Sequence, residues 1–271
     1  MRQVNQNKRY AEHHESFVNL EIPYIPMIRT MDFTRSSGNR SKVPHFSDSD
    51  RLIHFMSVNE RWAFLQILYN YDVIDVYEQW AIDLESSMLI CQELNIKHPR
   101  IPRESGWAYQ TFDLLMKLDA SNDDLCEEDV KWLAIAVKSS HHASNKRVID
   151  KLLIQEAYAH MKGYEFCLIT DDEIRNVYSE TLDTLYFHYQ LRPSTEIYYD
   201  TWLSTFRGEL LFNSDMRLGK LIKAVASSVG IEDEMSAHFF CHALWCKDFT
   251  MDWEQRLRYE RSAESLGVMP L

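Results

Sequence analysis

The stretch "KWLAIAVKSSHH", residues 131–142, contains an unbroken apolar run that ends on a lysine. The run from Trp132 to Val137 is typical of a strand that is covered on both faces. Lys138 follows directly, so a charged amine lies at the rim of this strand. Because an unpaired charge is costly to remove from water, the position of this lysine raises the question of what it binds.

A second apolar run, "YQTFDLLMKL" (109–118), is joined to this stretch by the acidic segment "DASNDDLCEED" (119–129). Two apolar runs joined by a polar loop predict an antiparallel β-hairpin. Side chains alternate along a strand, so Lys138 shares a face with Ala136, and Asp113 occupies one face of the other strand. If the register allows, the carboxylate and the amine face one another at the edge of the sheet.

The segments around the hairpin predict an α/β fold. Apolar residues recur at helical spacing in residues 57–69, which predicts a helix. A strand at 73–82 follows, and a helix at 146–161 and a strand at 165–170 come after the hairpin. This order of elements predicts a mixed sheet flanked by helices.

Three regions are predicted along the chain. Residues 1–50 are polar, carry scattered basic side chains and are expected to be irregular, whereas residues 51–172 form the α/β domain. Helical patterns dominate residues 173–271, with a domain boundary near Asp171 to Ile174. The last two helical segments, followed by "FTMDWEQRLR" (249–258) as a β wing, would suit a winged-helix-like unit.

Composition limits the function further. The chain has 271 residues and a formal net charge of −12, so we expect it to bind DNA poorly without a partner or a local basic patch. Its five cysteines are scattered and odd in number, which favours reduced thiols over a disulfide framework. The sequence has no apolar run as long as a membrane span and no signal peptide, which predicts a cytoplasmic protein.

Glu60 begins the helix that precedes the hairpin, so a helix glutamate, a strand aspartate (Asp113) and Lys138 follow one another in the chain. This order is the pattern of restriction-endonuclease-like nucleases, and it predicts that fold for the sheet domain. Carboxylates bind Mg²⁺ or Mn²⁺ through hard oxygen atoms, and the bound ion lowers the pKa of its water and stabilises charge on the phosphate. A lysine beside such a site adds positive charge where the oxyanion develops.

Each of the three residues also has a structural interpretation. Ser57 and Glu60 have the S-x-x-E spacing of a helix capping box, which requires no catalysis. Asp113 could be an edge-strand charge that discourages aggregation, and Lys138 could extend its amine from the strand end into water. The spacing of the three residues leaves these alternatives open.

A longer resemblance favours the nuclease interpretation. The runs "SVNERWAFLQILYNYDVIDVYEQWAI" (57–82), "TFDLLM" (111–116), "LAIAVKSS" (133–140) and "IDKLLIQEAYAHMKGYEF" (149–166) resemble TnsA proteins. TnsA is the endonuclease subunit family of heteromeric cut-and-paste transposases. Similar features extend over residues 23–175, whereas the C-terminal third is similar only in its helical character.

The resemblance implies a function and a set of partners. TnsA proteins cut the 5′ strands at the transposon ends, and a DDE-type transposase, TnsB, cuts and joins the 3′ strands. An AAA+ ATPase, TnsC, regulates both and is expected to bind the C-terminal domain. On this resemblance Glu60 and Asp113 bind Mg²⁺, for which Mn²⁺ can substitute, together with the carbonyl oxygen of Val137, and Lys138 is the catalytic lysine.

The sequence differs from the TnsA pattern in three respects. Ala136 stands where relatives often carry a polar, metal-coordinating side chain. The order Phe112–Asp113 replaces the order aspartate–phenylalanine, and the hairpin loop is longer and more acidic. We therefore expect one secure metal position and a second that is weak or filled by water.

Other residues are weaker candidates. Glu78 and Gln79 could reach the site or cap the sheet edge, and zinc-binding residue types occur at His238, Cys241, His242 and Cys246. The latter lie in a helical pattern without C-x-x-C pairs, so buried thiols are the better interpretation. No recognisable spacing relates His13, His14, His141 and His142. A solvated loop rather than a calcium site is predicted for Asp123, Asp124, Glu127, Glu128 and Asp129.

Three functions therefore follow from the sequence. The first is a Mg²⁺-dependent, strand-specific DNA endonuclease that acts inside a transposase assembly. The second is a catalytically silent adaptor that bridges the transposase and the AAA+ regulator, for which Ala136 is the main support. The third is a stand-alone restriction or repair nuclease, which would cut DNA without a partner.

Overall fold

The computed structural model describes residues 6–19, 21–32, 39–48, 50–101, 106–121 and 129–271. The chain divides into two compact units, residues 1–174 and residues 175–271. The described helices are α1 (Gln6–Val18), α2 (Val58–Asn70), α3 (Leu84–Glu93), α4 (Ser140–Ala143), α5 (Lys146–Met161), α6 (Asp171–Ile174), α7 (Val177–Leu185), α8 (Pro193–Glu196), α9 (Tyr199–Phe212), α10 (Leu218–Val229) and α11 (Asp233–Trp245). The described strands are β1 (Ser41–Pro44), β2 (Leu52–Phe55), β3 (Val73–Ala81), β4 (Thr111–Asp119), β5 (Val130–Lys138), β6 (Glu165–Thr170), β7 (Phe249–Thr250) and β8 (Met269–Pro270).

A four-stranded sheet in the order β3-β4-β5-β6 organises the N-terminal unit. The first three strands are antiparallel, and β6 runs parallel to β5. A parallel pair needs a crossover, which here passes through α4 and α5. The predicted mixed α/β fold is confirmed, and it is consistent with a restriction-endonuclease-like fold.

The predicted hairpin is present as β4 and β5, with Leu115 opposite Ala134. Ala134, Ile135 and Ala136 are fully buried, as expected for a strand that is covered on both faces. On one face the aromatic rings of Trp80 and Phe112 stack at 5.8 Å, and α5 packs its apolar side chains against them. Burial of this apolar surface is the main force that holds helix and sheet together.

The first 50 residues are not irregular throughout, so that prediction is wrong. They contain α1 and β1, and β1 pairs with β2. The buried His13 attaches α1 to the sheet, because one ring nitrogen contacts the Ile25 carbonyl at 2.8 Å and the other accepts from the Ala81 amide at 3.1 Å. These long-range polar contacts stabilise a helix whose own sequence is mostly polar.

The C-terminal unit is helical, as its sequence predicts. Helices α9, α10 and α11 enclose an aromatic core that includes Trp202, Phe206, Phe239 and Phe240. The predicted wing region contributes β7, which pairs over two residues with β8 at the end of the chain. The winged-helix-like character of this unit stays a prediction. None of the described helices is both long and apolar enough to cross a membrane.

Candidate functional site

The candidate site forms where β4 separates from β5. Backbone pairing between the two strands runs as far as Leu114 opposite Ile135, whereas β4 stays paired with β3 through Thr111. At this point the Val137 amide donates a 2.6 Å hydrogen bond to Oδ2 of Asp113. A side-chain carboxylate thus replaces the backbone acceptor, which satisfies the amide and opens the sheet around Asp113.

Lys138 contacts the same carboxylate. Its Nζ lies 2.6 Å from Oδ2 of Asp113 and also donates to the Val137 carbonyl oxygen at 3.0 Å. The two side chains are mostly buried, with 25% of Lys138 and 13% of Asp113 exposed. The register therefore brings the amine and the carboxylate together on one face, and the buried amine has an ionic partner.

Glu60 lies in the first turn of α2 and is buried. Oε1 accepts from Ser57 Oγ at 3.1 Å, and Oε2 accepts from the Met56 amide at 2.8 Å. Ser57 Oγ in turn accepts from the Glu60 amide at 3.2 Å, as in a capping box. The capping interpretation thus describes real hydrogen bonds, and the same bonds fix the orientation of the carboxylate.

The charge of Asp113 affects Glu60. Burial and, after it, the negative charge of Asp113 raise the pKa of Glu60 to about 8, and Lys138 opposes both. Two carboxylates that face one another in a low-dielectric site cannot both ionise cheaply unless positive charge is supplied. Lys138 therefore offsets only part of the cost of ionising both carboxylates.

The candidate site contains oxygen atoms of the kind that bind hard metal ions. They are the Glu60 carboxylate, the Val137 carbonyl and Oδ1 of Asp113, which makes no hydrogen bond with a described residue. Mg²⁺ prefers such oxygens and relieves repulsion between carboxylates, so the donor set fits this ion. Among the described residues no group of three or more His, Cys, Asp or Glu side chains could hold a metal. The carbonyl and water would therefore have to complete the coordination, and the buried methyl group of Ala136 adds no ligand.

The structure separates the roles of Glu78 and Gln79. Gln79 reaches the site, because its Nε2 donates to Oε2 of Glu60 at 3.3 Å. Its backbone has a φ of 50°, a left-handed conformation that is unusual for a residue other than glycine. Glu78 instead forms a buried ion pair with Arg51 at 2.8 Å. Sequence periodicity could not distinguish these neighbours, since the left-handed backbone interrupts the alternation of the strand.

Two residues of α5 were not predicted from the sequence. Gln155 is buried, and its Nε2 donates to the Thr111 carbonyl at 2.5 Å, two residues before Asp113. Lys151 lies one turn earlier in the helix, and its pKa is affected by the charges of both Lys138 and Asp113. The i, i+4 spacing was visible in the sequence, but the strand that this helix face meets was not.

The histidines and cysteines of α11 make ordinary contacts. Cys241 is buried and lies 3.3 Å from the Tyr259 hydroxyl, while Cys246 is exposed and contacts a ring nitrogen of His242 at 3.3 Å. The buried-thiol interpretation therefore holds for Cys241 and is wrong for Cys246, which lies at the solvent-exposed end of the helix. His238 contacts His188 through their Nδ1 atoms at 2.7 Å.

The remaining weak candidates are four histidines and the acidic residues of the hairpin loop. His13 has the structural role given above, and His14, His141 and His142 are exposed. Asp129 is exposed at the start of β5, and the other four acidic residues of the hairpin loop (Asp123, Asp124, Glu127 and Glu128) lie outside the described residues.

Comparison with known proteins identifies what the chain is similar to. Residues 70–171 match the sequence model of the family described as "TnsA-like endonuclease N terminal", a range that includes Asp113 and Lys138. The chain is 27% identical over 164 residues to the transposon Tn7 transposition protein TnsA of Escherichia coli. That match covers 60% of this chain and 56% of the relative. The resemblance to TnsA proteins that the sequence predicts is confirmed over this range.

Proposed function

We propose that this TnsA-like chain is the subunit of a transposase that cuts the 5′ strands at transposon ends in a Mg²⁺-dependent reaction. The similarity to a family of endonucleases supports a transposase endonuclease subunit. The observation that carries the finer proposal is the placement of Asp113 and Lys138, 2.6 Å apart, where β4 leaves β5. Glu60 adds a second carboxylate close enough for its pKa to respond to Asp113.

Each side chain has a distinct role in this proposal. Uncatalysed phosphodiester hydrolysis is extremely slow, so electrostatic stabilisation of the transition state has to supply much of the rate. Glu60, Asp113 and the Val137 carbonyl would hold Mg²⁺, with Mn²⁺ as a substitute. When bound, the ion supplies positive charge at the phosphate and water of lowered pKa. Lys138, held in place by Asp113, directs its ammonium group toward the developing negative charge, and Gln79 keeps the Glu60 carboxylate oriented.

The charge of the chain supports dependence on partners. A net charge of −12 opposes unassisted binding to DNA, so the substrate has to be delivered by other proteins. By the TnsA resemblance those partners are the DDE-type transposase TnsB and the AAA+ ATPase TnsC, the latter bound by residues 175–271. The purified chain should accordingly show little nuclease activity of its own.

A reconstituted excision assay with the partner transposase and ATPase tests this function. Asp113→Ala and Lys138→Ala should lose 5′-strand cleavage while 3′-strand transfer by the partner continues, so that joined but uncut products accumulate. Normal excision by the Asp113→Ala assembly would remove this residue from the mechanism. Strong cutting of arbitrary DNA by the chain alone would instead favour a stand-alone restriction or repair nuclease.

One observation favours a second candidate function. Ala136 is fully buried beside the site and offers no ligand, as expected if the chain were a catalytically silent adaptor between transposase and ATPase. Titration calorimetry with Mn²⁺ separates the two functions. A nuclease should bind the ion in a manner that Asp113→Ala and Glu60→Ala abolish, whereas an adaptor should show no such binding.

A further inference from the structure

The N-terminal turns of α5 lie at the end of the sheet that carries the candidate site. Strand β5 ends at Lys138, and α5 returns the chain so that β6 can run parallel to β5. The start of the crossover helix therefore lies at the Lys138 end of the sheet. The hydrogen bond from Gln155 Nε2 to the Thr111 carbonyl, at 2.5 Å, fixes the helix against the start of β4.

Two cations extend from this contact toward the start of the helix. Lys151 is one turn before Gln155 and half-buried, and Arg147 is one turn earlier and exposed. Residues four apart lie on the same helix face, so Arg147, Lys151 and Gln155 form one line along α5. We call Arg147 and Lys151 the cationic strip.

The cationic strip lacks counter-ions. Neither Lys151 nor the guanidinium of Arg147 makes an ion pair or hydrogen bond with a described residue. Some other basic side chains of this acidic protein form ion pairs, as in Lys131 with Glu165 at 2.9 Å. A half-buried ammonium without a partner loses hydration and gains nothing within the chain, which is unfavourable unless an anion binds.

The charges around Lys151 interact with those of the candidate site. Burial lowers the pKa of Lys151, the positive charges of Arg147 and Lys138 lower it further, and Asp113 opposes them. The positive charges of Lys138, Arg147 and Lys151 thus act on one another, and Asp113 offsets their effect on Lys151 only in part. A phosphodiester backbone would supply the missing negative charge, because phosphate oxygens accept hydrogen bonds from Lys and Arg.

We propose that the cationic strip binds the backbone phosphates beside the scissile phosphate and so positions the strand that is cut. The inference rests on the proposed nuclease function and adds two positioning residues to it. Lys151, nearer to Gln155, contacts the phosphate closest to the cut, and Arg147 contacts the next phosphate outward.

Neutral phosphates test this assignment directly. End DNA carrying a single uncharged methylphosphonate at each phosphate around the cut is given to the reconstituted assembly. Wild type should cut roughly tenfold more slowly when the phosphate contacted by Lys151 is neutral. Lys151→Met should cut ordinary DNA more slowly by a similar factor. A methylphosphonate at the phosphate contacted by Lys151 should not slow this variant further, because the contact is already absent. Arg147→Met should behave likewise at an adjacent phosphate.

Two control variants exclude a structural effect. Lys162→Met removes the same charge at the opposite end of α5 and should cut normally, with the wild-type sensitivity to methylphosphonates. Lys151→Arg keeps the charge and should recover most of the rate. Lys151→Met should melt at the same temperature as wild type or higher, since a desolvated charge is removed. The proposal would be overturned if Lys151→Met cut at the wild-type rate. It would also be overturned if, at every methylphosphonate, the effects of the substitution and of the neutral phosphate on the rate were fully additive.

A binding measurement separates failure of this inference from failure of the nuclease assignment. The full chain is titrated with duplex DNA at low ionic strength, with Ca²⁺ in place of Mg²⁺. Removal of one cation that neutralises a phosphate should reduce the slope of log affinity against log salt by about 0.9, for Lys151→Met and Arg147→Met but not Lys162→Met. If wild type does not cut but these slopes change, only the nuclease function fails. Unchanged slopes, or no detectable binding by wild type, would reject the strip.

Discussion

Two charge clusters of the N-terminal unit differ in how completely their carboxylates form ion pairs. In the structural cluster, Glu78 accepts from Arg51 at 2.8 Å, and Arg51 also reaches Asp75 at 3.2 Å. In the candidate site, Glu60 forms no ion pair with a described residue, and the negative charge of Asp113 raises its pKa. Burial raises the pKa of both glutamates. The next-largest influence differs: Arg51 lowers the pKa of Glu78, whereas Asp113 raises the pKa of Glu60.

This difference indicates which cluster supports the fold and which can do chemistry. A cluster in which each carboxylate forms an ion pair inside the chain has no need of a ligand, and its loss costs stability. A cluster in which one buried carboxylate forms no ion pair with a described residue, as Glu60 does not, is stabilised by a cation that it binds, and perturbed pKa values of this kind gather at functional sites. Matched substitutions in the two clusters test the contrast, in order of decreasing effect.

The largest effect is expected for Asp113→Asn, which removes a charge and hardly changes shape. In the reconstituted assembly it should slow 5′-strand cleavage by a factor on the order of 10³ or more, because charge stabilisation at the site is lost. The melting temperature should change little, since repulsion with Glu60 is removed along with the Lys138 ion pair. Single-turnover cleavage and thermal melts measure the two outcomes. Cleavage within tenfold of wild type would place Asp113 in the structural class.

Glu78→Gln is the matched change in the structural cluster. It leaves the Arg51 guanidinium buried against an amide and should destabilise the N-terminal unit by about 3 kcal/mol, the lower end for a broken buried pair. Cleavage per folded molecule should remain near wild type, because Glu78 does not contact the site. Urea unfolding followed by tryptophan fluorescence gives the stability. Loss of cleavage without loss of stability would show that the two clusters are not separate.

The pH dependence of metal binding comes next in size. With a pKa of about 8, Glu60 is protonated in the metal-free chain below that pH, and binding of a divalent ion must displace the proton. Mn²⁺ affinity should therefore rise up to about tenfold per pH unit between pH 6 and 8 and level off above. Calorimetry in buffers of different ionisation enthalpy counts the released proton, and Glu60→Gln should release none.

The same pKa has a consequence for stability with the opposite sign. The folded-state pKa of Glu60 lies above its ordinary value of 4.5, so folding favours the protonated carboxyl. This contribution to stability is present below pH 4.5 and is lost as the pH rises through about 8. Melts of the wild type in the presence of a chelator should fall in temperature from pH 6 to 8.5 relative to Glu60→Gln. A parallel decline in both proteins would contradict the raised pKa.

The sequence predicts those helices and strands that are determined by residues close together in the chain. The apolar run that ends at Lys138 and the second run around Asp113 determine a hairpin, and strand alternation places both charges on one face. Helix α2 is indicated by the spacing of its apolar residues and by its N-cap Ser57. This cap is recognisable from a motif of four residues, Ser57 to Glu60.

The rest depends on contacts distant in sequence. Helix α1 is polar, and its attachment through His13 to Ala81 spans 68 residues, so no local pattern indicates it. Helix α3 was also not predicted. The parallel pairing of β5 and β6 determines where α5 begins relative to Lys138, and so where Lys151 lies. A sequence shows which side chains share a helix face but not which strand that face meets.

The smallest effect is expected at Gln79. Its backbone strain lowers stability, whereas its side chain orients the Glu60 carboxylate. Gln79→Gly removes the left-handed strain of a φ of 50° and should stabilise the chain by at most about 1 kcal/mol. It also removes the 3.3 Å hydrogen bond to Glu60, so cleavage should fall by roughly three- to tenfold. Gln79→Ala loses the same hydrogen bond and keeps the backbone strain. It should therefore cut as slowly as Gln79→Gly and melt at a lower temperature than Gln79→Gly. A Gln79→Gly protein that is both more stable and fully active would show that the side chain contributes nothing to the site.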